Sequence, residues 1–177
     1  MTDIRCANRD DAAGVLAIYA PIVNDTAISF ELEPPTLGQM QERIESTLEL
    51  LPWLIAEQEE QIVGYAYASR YRQRAAYQWS AEVSAYVRAD ARRSGVGRTL
   101  YRALLGILKD LSYRTALAGI TLPNHASVAL HESMGFTPVG VYHNVGYKFG
   151  TWHDVGWWQL PLGDYDDPPP PSRFERS

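Results

Sequence analysis

The sequence predicts an α/β sandwich, with helices packed on a mixed central sheet. Three observations carry that prediction. Residues 82–105, EVSAYVRADARRSGVGRTLYRALL, read as a strand, a basic glycine-bearing turn and a helix. Elsewhere the apolar residues switch between the period of two of a half-buried strand and the 3.6 of a helix. The resulting order is β-α-α-β-β-β-α-β-α-β-β. The 177 residues are 46% apolar and 21% charged, which suits one domain with a substantial core.

Each element has its own signal. Residues 4–7 make a short strand. Asn8 or Asp10 can cap the helix that follows, because either side chain accepts from the unpaired N–H groups of a first turn. Ala12, Val15, Leu16, Tyr19, Ile22 and Val23 form its apolar stripe, and Asn24-Asp25 ends it. Residues 26–30 are a short extended segment before Pro34-Pro35. Thr36 caps a second helix with Leu37, Met40, Ile44, Leu48 and Leu51 on one side, stopped by Pro52. Residues 53–56 and 62–71 are strands whose short polar link suits an antiparallel hairpin. Residues 70–79, RYRQRAAYQW, leave the sheet as a loop rich in arginine and aromatics. In the next strand Glu82, Ser84 and Tyr86 alternate with Val83, Ala85 and Val87. Val96, Leu100, Leu104, Ile107, Leu108 and Leu111 mark a helix, residues 115–122 a strand, and Pro123-Asn124 its end. Asn124 or Ser127 starts a helix closed by Gly135, a natural C-terminal cap. Residues 136–149 and 152–162 are two long strands around a Gly150 turn. The domain is placed at residues 1–163. Residues 164–177, which hold the proline run from Pro168 to Pro171, are expected to be extended and largely disordered.

Composition narrows the function. A net charge of −5 argues against a nucleic-acid surface. One cysteine, Cys6, excludes an internal disulfide and fits a reducing compartment; a small buried side chain in the first strand is its expected role. No apolar run reaches membrane-spanning length, and the opening MTDIRCANRDD has no signal-peptide core, so a cytoplasmic protein without a membrane partner is expected. His125, His131, His143 and His153 lack the cysteine or carboxylate arrangement of a metal site, and no metal is expected.

The glycine turn carries the first chemistry. Gly95 and Gly97 at a helix mouth let the backbone approach a ligand, and the free N–H groups and helix dipole favour an anion there. Arg92, Arg93 and Arg98 add positive charge, so a phosphorylated ligand is expected; the plain alternative is a helix start with surface arginines. A nucleotide-triphosphate loop needs Lys then Ser/Thr after its last glycine, and Arg98-Thr99 stands there instead. A dinucleotide fingerprint needs a third glycine where Leu100 stands. Arg72 and Arg74, flanking Gln73, precede the same strand. Guanidinium forks bind oxyanions bidentately, so this loop is a candidate anion site; the plain alternative is a solvated arginine loop.

The pattern Arg92-x-x-Gly95-x-Gly97 after a strand resembles the acyl-CoA pyrophosphate loop of the GNAT superfamily of N-acetyltransferases. The spacing from Asn124 to His131 and on to Gly135-Phe136 fits the same superfamily. Other stretches resemble, more closely, the phosphinothricin acetyltransferases: Tyr77-x-Trp79-x-Ala81-Glu82, Tyr86-Val87, Leu122-Pro123-Asn124, His131-Glu132 and Gly146-x-Lys148-x-Gly150-x-Trp152-His153-Asp154-Val155-Gly156. The resemblance covers residues 3–162. It implies the GNAT fold, whose sheet splays between the strands flanking the loop helix. It implies acetyl-CoA as donor, a glutamate-like amino acid such as phosphinothricin or methionine sulfoximine or sulfone as acceptor, and a homodimer. It also implies the sites. Glu82 and His131 are catalytic. Ala85, Tyr86 and Val87 offer backbone to the pantetheine and acetyl carbonyl. Arg92, Arg93, Ser94, Gly95, Val96, Gly97 and Arg98 hold the pyrophosphate, and Asn124 and Ser127 the pantetheine arm. Phe30, Arg72, Gln73, Arg74, Tyr77, Val83 and Ser84 join Glu82 around the amino acid. Where relatives carry a lysine, this chain has Arg72, which keeps anion binding but leaves substrate choice open.

Acetyl transfer needs a neutral amine, while an α-amine is mostly protonated at pH 7, so a group must take a proton. Glu82 is the first candidate and His131, with an ordinary pKa near 6.5, the second; their division of base and acid roles stays open. Two further classes remain. One is acetylation of a different amine, such as a polyamine, an antibiotic or a protein N-terminus; Arg72 and Arg74 weigh against a polyamine. The other is a non-catalytic acyl-CoA-binding module, against which Glu82 and His131 weigh.

Overall fold

A seven-stranded sheet in the order β1-β2-β3-β4-β5-β7-β6 forms the centre of the computed structural model, which describes residues 2–175. The strands are β1 (Asp3–Cys6), β2 (Trp53–Gln58), β3 (Gln61–Arg70), β4 (Ser80–Val87), β5 (Thr115–Leu122), β6 (Thr137–Lys148) and β7 (Thr151–Pro161). The helices are α1 (Ala12–Asp25), α2 (Leu37–Leu48), α3 (Val96–Asp110) and α4 (His125–Ser133). Number, order and type of elements are those the sequence predicts. Among the described residues only β4 and β5 pair in parallel, and the other ladders are antiparallel.

Local chemistry sets the boundaries. Asn8 accepts from the Asp10 N–H and Asp11 answers on the Asn8 N–H, a capping box that opens the α1 region. Thr36 and Gln39 do the same for α2. The β2–β3 hairpin turns through Glu59 and Glu60, both at positive φ. The extended segment expected at residues 26–30 is instead a run of bends, held by side chains described below.

Two cores lie on opposite sides of the sheet. Val96, Leu100, Tyr101, Leu104 and Leu108 of α3 pack on Ala66, Ala68, Val83, Ala116 and Ala118. On the other side Val15, Tyr19, Ile22 and Val23 of α1, with Met40, Ile44 and Leu48 of α2, cover Trp53, Ile55 and Tyr65. The alternation along β4 is thereby explained: Val83 faces the α3 core, while Tyr86 faces α1, its ring 5.3 Å from that of Tyr19. Small residues on the α3 side of the sheet let that helix sit close.

The proline-rich segment runs extended, without helix or strand, and touches the domain. The Trp79 indole N–H donates to the Pro169 carbonyl at 2.9 Å, and the Ser172 and Phe174 N–H groups donate to Leu111 and Leu50. The part of it that was expected to be disordered therefore lies against the body through residue 174; residues 176–177 fall outside the described residues. No helix among the described residues is long and apolar enough to cross a membrane.

Candidate active site

The parallel pair β4–β5 holds together for only a short distance. Ser80, Ala81 and Glu82 pair with Thr115, Ala116 and Leu117, and beyond them the strands part, β5 remaining paired to β7 out to Leu122. Backbone groups of residues 83–87 that would have bonded to β5 are left facing a gap. The gap is a cleft lined by Val83, Ser84, Ala85 and Tyr86 from β4, Gly119, Ile120 and Thr121 from β5, and Tyr101, Asn124, Ser127 and His131 from α3 and α4. Ile28 closes one side. The geometry suits a narrow, extended ligand that completes the interrupted ladder with its own amides.

At the cleft's β4 end the chain enters α3 through the expected glycine turn. Gly95 is the N-cap at φ 88, a left-handed conformation that glycine adopts without strain, and no side chain caps the helix. The N–H groups of the first turn therefore point outward for an anion. A Cβ on Gly95 would meet nothing, so this position faces open space. Gly97 is a glycine for another reason: a Cβ there would lie 3.1 Å from Leu130, so its bareness lets α3 and α4 pack. Arg92, Arg93, Ser94 and Arg98 are exposed around the turn, whereas the Val96 side chain is in the core and can offer only backbone.

Glu82 sits where the splay begins. Partial burial raises the pKa of its carboxyl above the ordinary value, because desolvation penalises the charged form, and the Arg72 guanidinium pulls it partly back. Arg72 lies 4.3 Å from the Tyr71 ring centroid and donates to the Tyr71 carbonyl. Tyr71 in turn stands edge-on to Tyr77 and Trp157. Gln73 and Arg74 are exposed farther along the same loop. Phe30 leans on the β6–β7 hairpin, 6.1 Å from the His153 ring.

His131 lines the cleft but is 5% exposed. Its Nδ1 lies 2.7 Å from the Ser127 carbonyl, which can only accept, so Nδ1 carries the proton and Nε2 accepts from the Tyr101 hydroxyl at 2.8 Å. Burial lowers its pKa more than the Ser127 bond raises it. The imidazole is thus neutral at pH 7. Asn124 Oδ1 caps α4 by accepting from the Ser127 N–H at 3.2 Å, which leaves the amide NH₂ for a ligand.

The acetyltransferase (GNAT) domain family model matches residues 4–157. The chain belongs to the GNAT acetyltransferase family. It is 38% identical over 169 residues to the phosphinothricin N-acetyltransferase of Streptomyces viridochromogenes, covering 96% of this chain and 91% of that one. It is 33% identical to the L-methionine sulfoximine/L-methionine sulfone acetyltransferase of Pseudomonas paraeruginosa, over 90% of this chain and 94% of that one. The crystal structure of a GNAT phosphinothricin acetyltransferase from Sinorhizobium meliloti in complex with AcCoA superposes with a TM-score of 0.88 at 33% identity, covering 92% of this chain and 89% of that one.

As a GNAT acyltransferase the chain carries features that sequence reading missed. Tyr101 is one: it falls beside Leu100 and Leu104 on an apolar helix face, and nothing in the pattern separates a core tyrosine from one whose hydroxyl meets His131. Ile28 and Thr121 line the cleft from segments with no motif at all. For the glycine turn, Gly95→Asp and Gly95→Asn compare nearly isosteric side chains in the left-handed region. The Asp variant is expected to bind acetyl-CoA severalfold more weakly than the Asn variant by calorimetry, as one added negative charge at a helix N-terminus costs about 1 kcal/mol. Equal affinities would remove this turn from the phosphate site.

Proposed function

We propose that this GNAT enzyme transfers acetyl from acetyl-CoA directly to the α-amine of a glutamate-like amino acid bearing a tetrahedral γ-group, with phosphinothricin and methionine sulfoximine or sulfone as the best acceptors. The observation that carries this reading is Glu82, a half-buried carboxyl at the start of the splay whose proton affinity burial raises, within electrostatic reach of Arg72, whose guanidinium lies over the Tyr71 ring. In this scheme the Arg72 fork takes an oxygen anion of the acceptor and so sets the amine beside Glu82. Glu82 accepts a proton from the ammonium, directly or through water, and the freed lone pair attacks the thioester carbonyl carbon. The resulting oxyanion is met by β4 N–H groups left unpaired by the splay. Its collapse breaks the C–S bond, and the surplus proton on the attacking nitrogen passes through water to the departing CoA thiolate, leaving a neutral amide and CoA thiol. His131 fixes the Tyr101 hydroxyl in the cleft near this step. Arg92, Arg93, Ser94, Gly95, Gly97 and Arg98 hold the pyrophosphate, the last three with the Val96 N–H, and Asn124 and Ser127 the pantetheine. Phe30, Gln73, Arg74, Tyr77, Val83 and Ser84 complete the acceptor side, in a cytoplasmic enzyme. The test is product identity. Incubation with acetyl-CoA and methionine sulfoximine, followed by NMR, is expected to show acetyl on the α-nitrogen; acetyl on the sulfoximine nitrogen, or no product with any amino acid, contradicts the assignment.

The working unit we propose is a homodimer. β6 is a sheet edge, and Val139, Val141, Tyr142, Val145, Tyr147, Phe149 and Trp152 of the β6–β7 hairpin are exposed, Trp152 by 59%. A long apolar edge strand invites pairing, and a second copy covers it by twofold symmetry. Sedimentation is expected to give twice the chain mass, and Val141→Lys combined with Tyr147→Lys to give monomer.

A further inference from the structure

Lys148 is 3% exposed, a burial that a lysine tolerates only when its ammonium is well bonded. Its Nζ donates to the Val23 carbonyl at 2.6 Å and to the Ser29 carbonyl at 2.8 Å. Val23 lies in the last turn of α1, where the helix dipole favours a cation, and Ser29 lies in the run of bends that carries Ile28 and Phe30. One side chain of β6 therefore grips both the end of α1 and the loop that leaves it. Two residues earlier on the same face of β6, Gly146 does the complementary thing: a Cβ there would collide with Cε2 and Cζ of the Phe30 ring. Its φ is not in the left-handed region, so the glycine is required by the phenyl ring and not by the backbone.

The rest of the loop is fixed from two other directions. The Ser29 hydroxyl and the Tyr19 hydroxyl are 2.8 Å apart, and Tyr19 donates to Glu31 at 2.8 Å. Arg43 of α2 then clamps Glu31 with both nitrogens, at 2.6 and 3.0 Å. From β5, the Thr121 hydroxyl reaches the Ile28 carbonyl at 3.5 Å. These groups order a stretch that forms neither helix nor strand. The stretch delivers Ile28 to the cleft and Phe30 onto the β6–β7 hairpin beside His153.

We infer that Gly146 and Lys148 are positioning residues that seat Phe30 and Ile28 against the acceptor end of the cleft, and so determine which amino acid fits. This deepens the proposed function and rests on it only for the identity of the acceptor. The Gly-x-Lys spacing follows from the period of a strand: the same face must offer a gap for the ring and, one pleat on, a cation for the carbonyls.

The experiment uses three variants of the full chain and two readouts. Lys148→Met removes both bonds, Lys148→Arg keeps a charge in a longer side chain, and Gly146→Ala pushes on Phe30 while leaving Lys148 in place. Hydrogen exchange needs no amine substrate: Lys148→Met is expected to speed exchange of amides in residues 26–31 by at least about tenfold, with α3 unchanged, and Lys148→Arg to restore part of the protection. For kinetics, the acceptor is whichever amine the wild-type enzyme turns over. Gly146→Ala is expected to raise its KM by about tenfold, leaving the acetyl-CoA Kd within about twofold. In a Phe30→Ala background the same glycine change is expected to cost little, since the ring it displaces is gone. Wild-type exchange at residues 26–31 in Lys148→Met, an unchanged KM in Gly146→Ala, or additive effects of Gly146→Ala and Phe30→Ala overturns the inference. If Lys148→Met does not fold, Gly146→Ala and its double mutant decide. A failure of the amino-acid reading leaves the exchange result standing, so the two are told apart.

Discussion

Glu82→Gln is expected to lower kcat by about 10²–10⁴ while acetyl-CoA affinity holds, the range usual for loss of a general base. Two further signatures separate proton transfer from general damage. The first is the pH profile. Burial raises the Glu82 pKa, so wild-type kcat/KM rises with pH as this carboxyl ionises, over a range above the ordinary carboxylate one. In the variant that limb disappears and only the ionisation of the amine remains, so the deficit shrinks at high pH. The second is stability. A carboxyl whose pKa is raised on folding binds its proton more tightly in the folded state. Stability therefore falls as pH rises from the unfolded to the folded pKa, and the cost stays in place above it. Gln carries no such cost, so at neutral pH the inactive variant is expected to melt at a higher temperature than the wild type. A variant with native turnover at pH 7 transfers the base role elsewhere.

Arg72→Ala carries the second large effect. Losing one charge-assisted contact to the acceptor costs on the order of 1.5–3 kcal/mol, or roughly 10–150-fold in kcat/KM, expressed mainly as a raised KM for the amino acid. Acetyl-CoA binding is expected to be unchanged. The same change removes the positive charge that lowers the Glu82 pKa, so the acid limb of the pH profile moves to higher pH. A KM effect without that pH shift places Arg72 on the substrate but away from Glu82. A pH shift without a KM effect does the reverse. The neighbouring Arg74→Ala is the comparison, since Arg74 is exposed in the same loop.

The fold was legible because its signals are local. Strand alternation, the Thr36 and Asn8 caps and the glycine at the mouth of α3 each act within a few residues, and each lands where the pattern places it. Glu82 was legible as a candidate through its strand and its family pattern. The splay that gives it a setting was expected only through the family resemblance; where it begins, after Glu82 and Leu117, depends on β5 preferring β7 over β4 and is written in no local pattern. The same limit hid Tyr101, whose partner His131 is 30 residues away, and Lys148, whose acceptors lie 119 and 125 residues back. Gly97 has a second reason to be glycine that the sequence does not show. In sequence it reads as a ligand-approach glycine; in the fold its missing side chain makes room for Leu130. Contacts between distant segments leave no periodicity, and only the assembled sheet brings these residues together.

Substrate choice is the central claim, and one competition measures it. Wild-type enzyme with acetyl-CoA is given methionine sulfoximine, methionine sulfone, phosphinothricin, glutamate, spermidine and a short peptide with a free N-terminus, and thiol release is followed for each. The account predicts the highest kcat/KM for the three acceptors with tetrahedral γ-groups. Glutamate falls at least about tenfold lower, because a flat carboxylate leaves a donor unpaired, and spermidine is rejected by the field of Arg72 and Arg74. Faster turnover of spermidine or of the peptide than of methionine sulfoximine contradicts it.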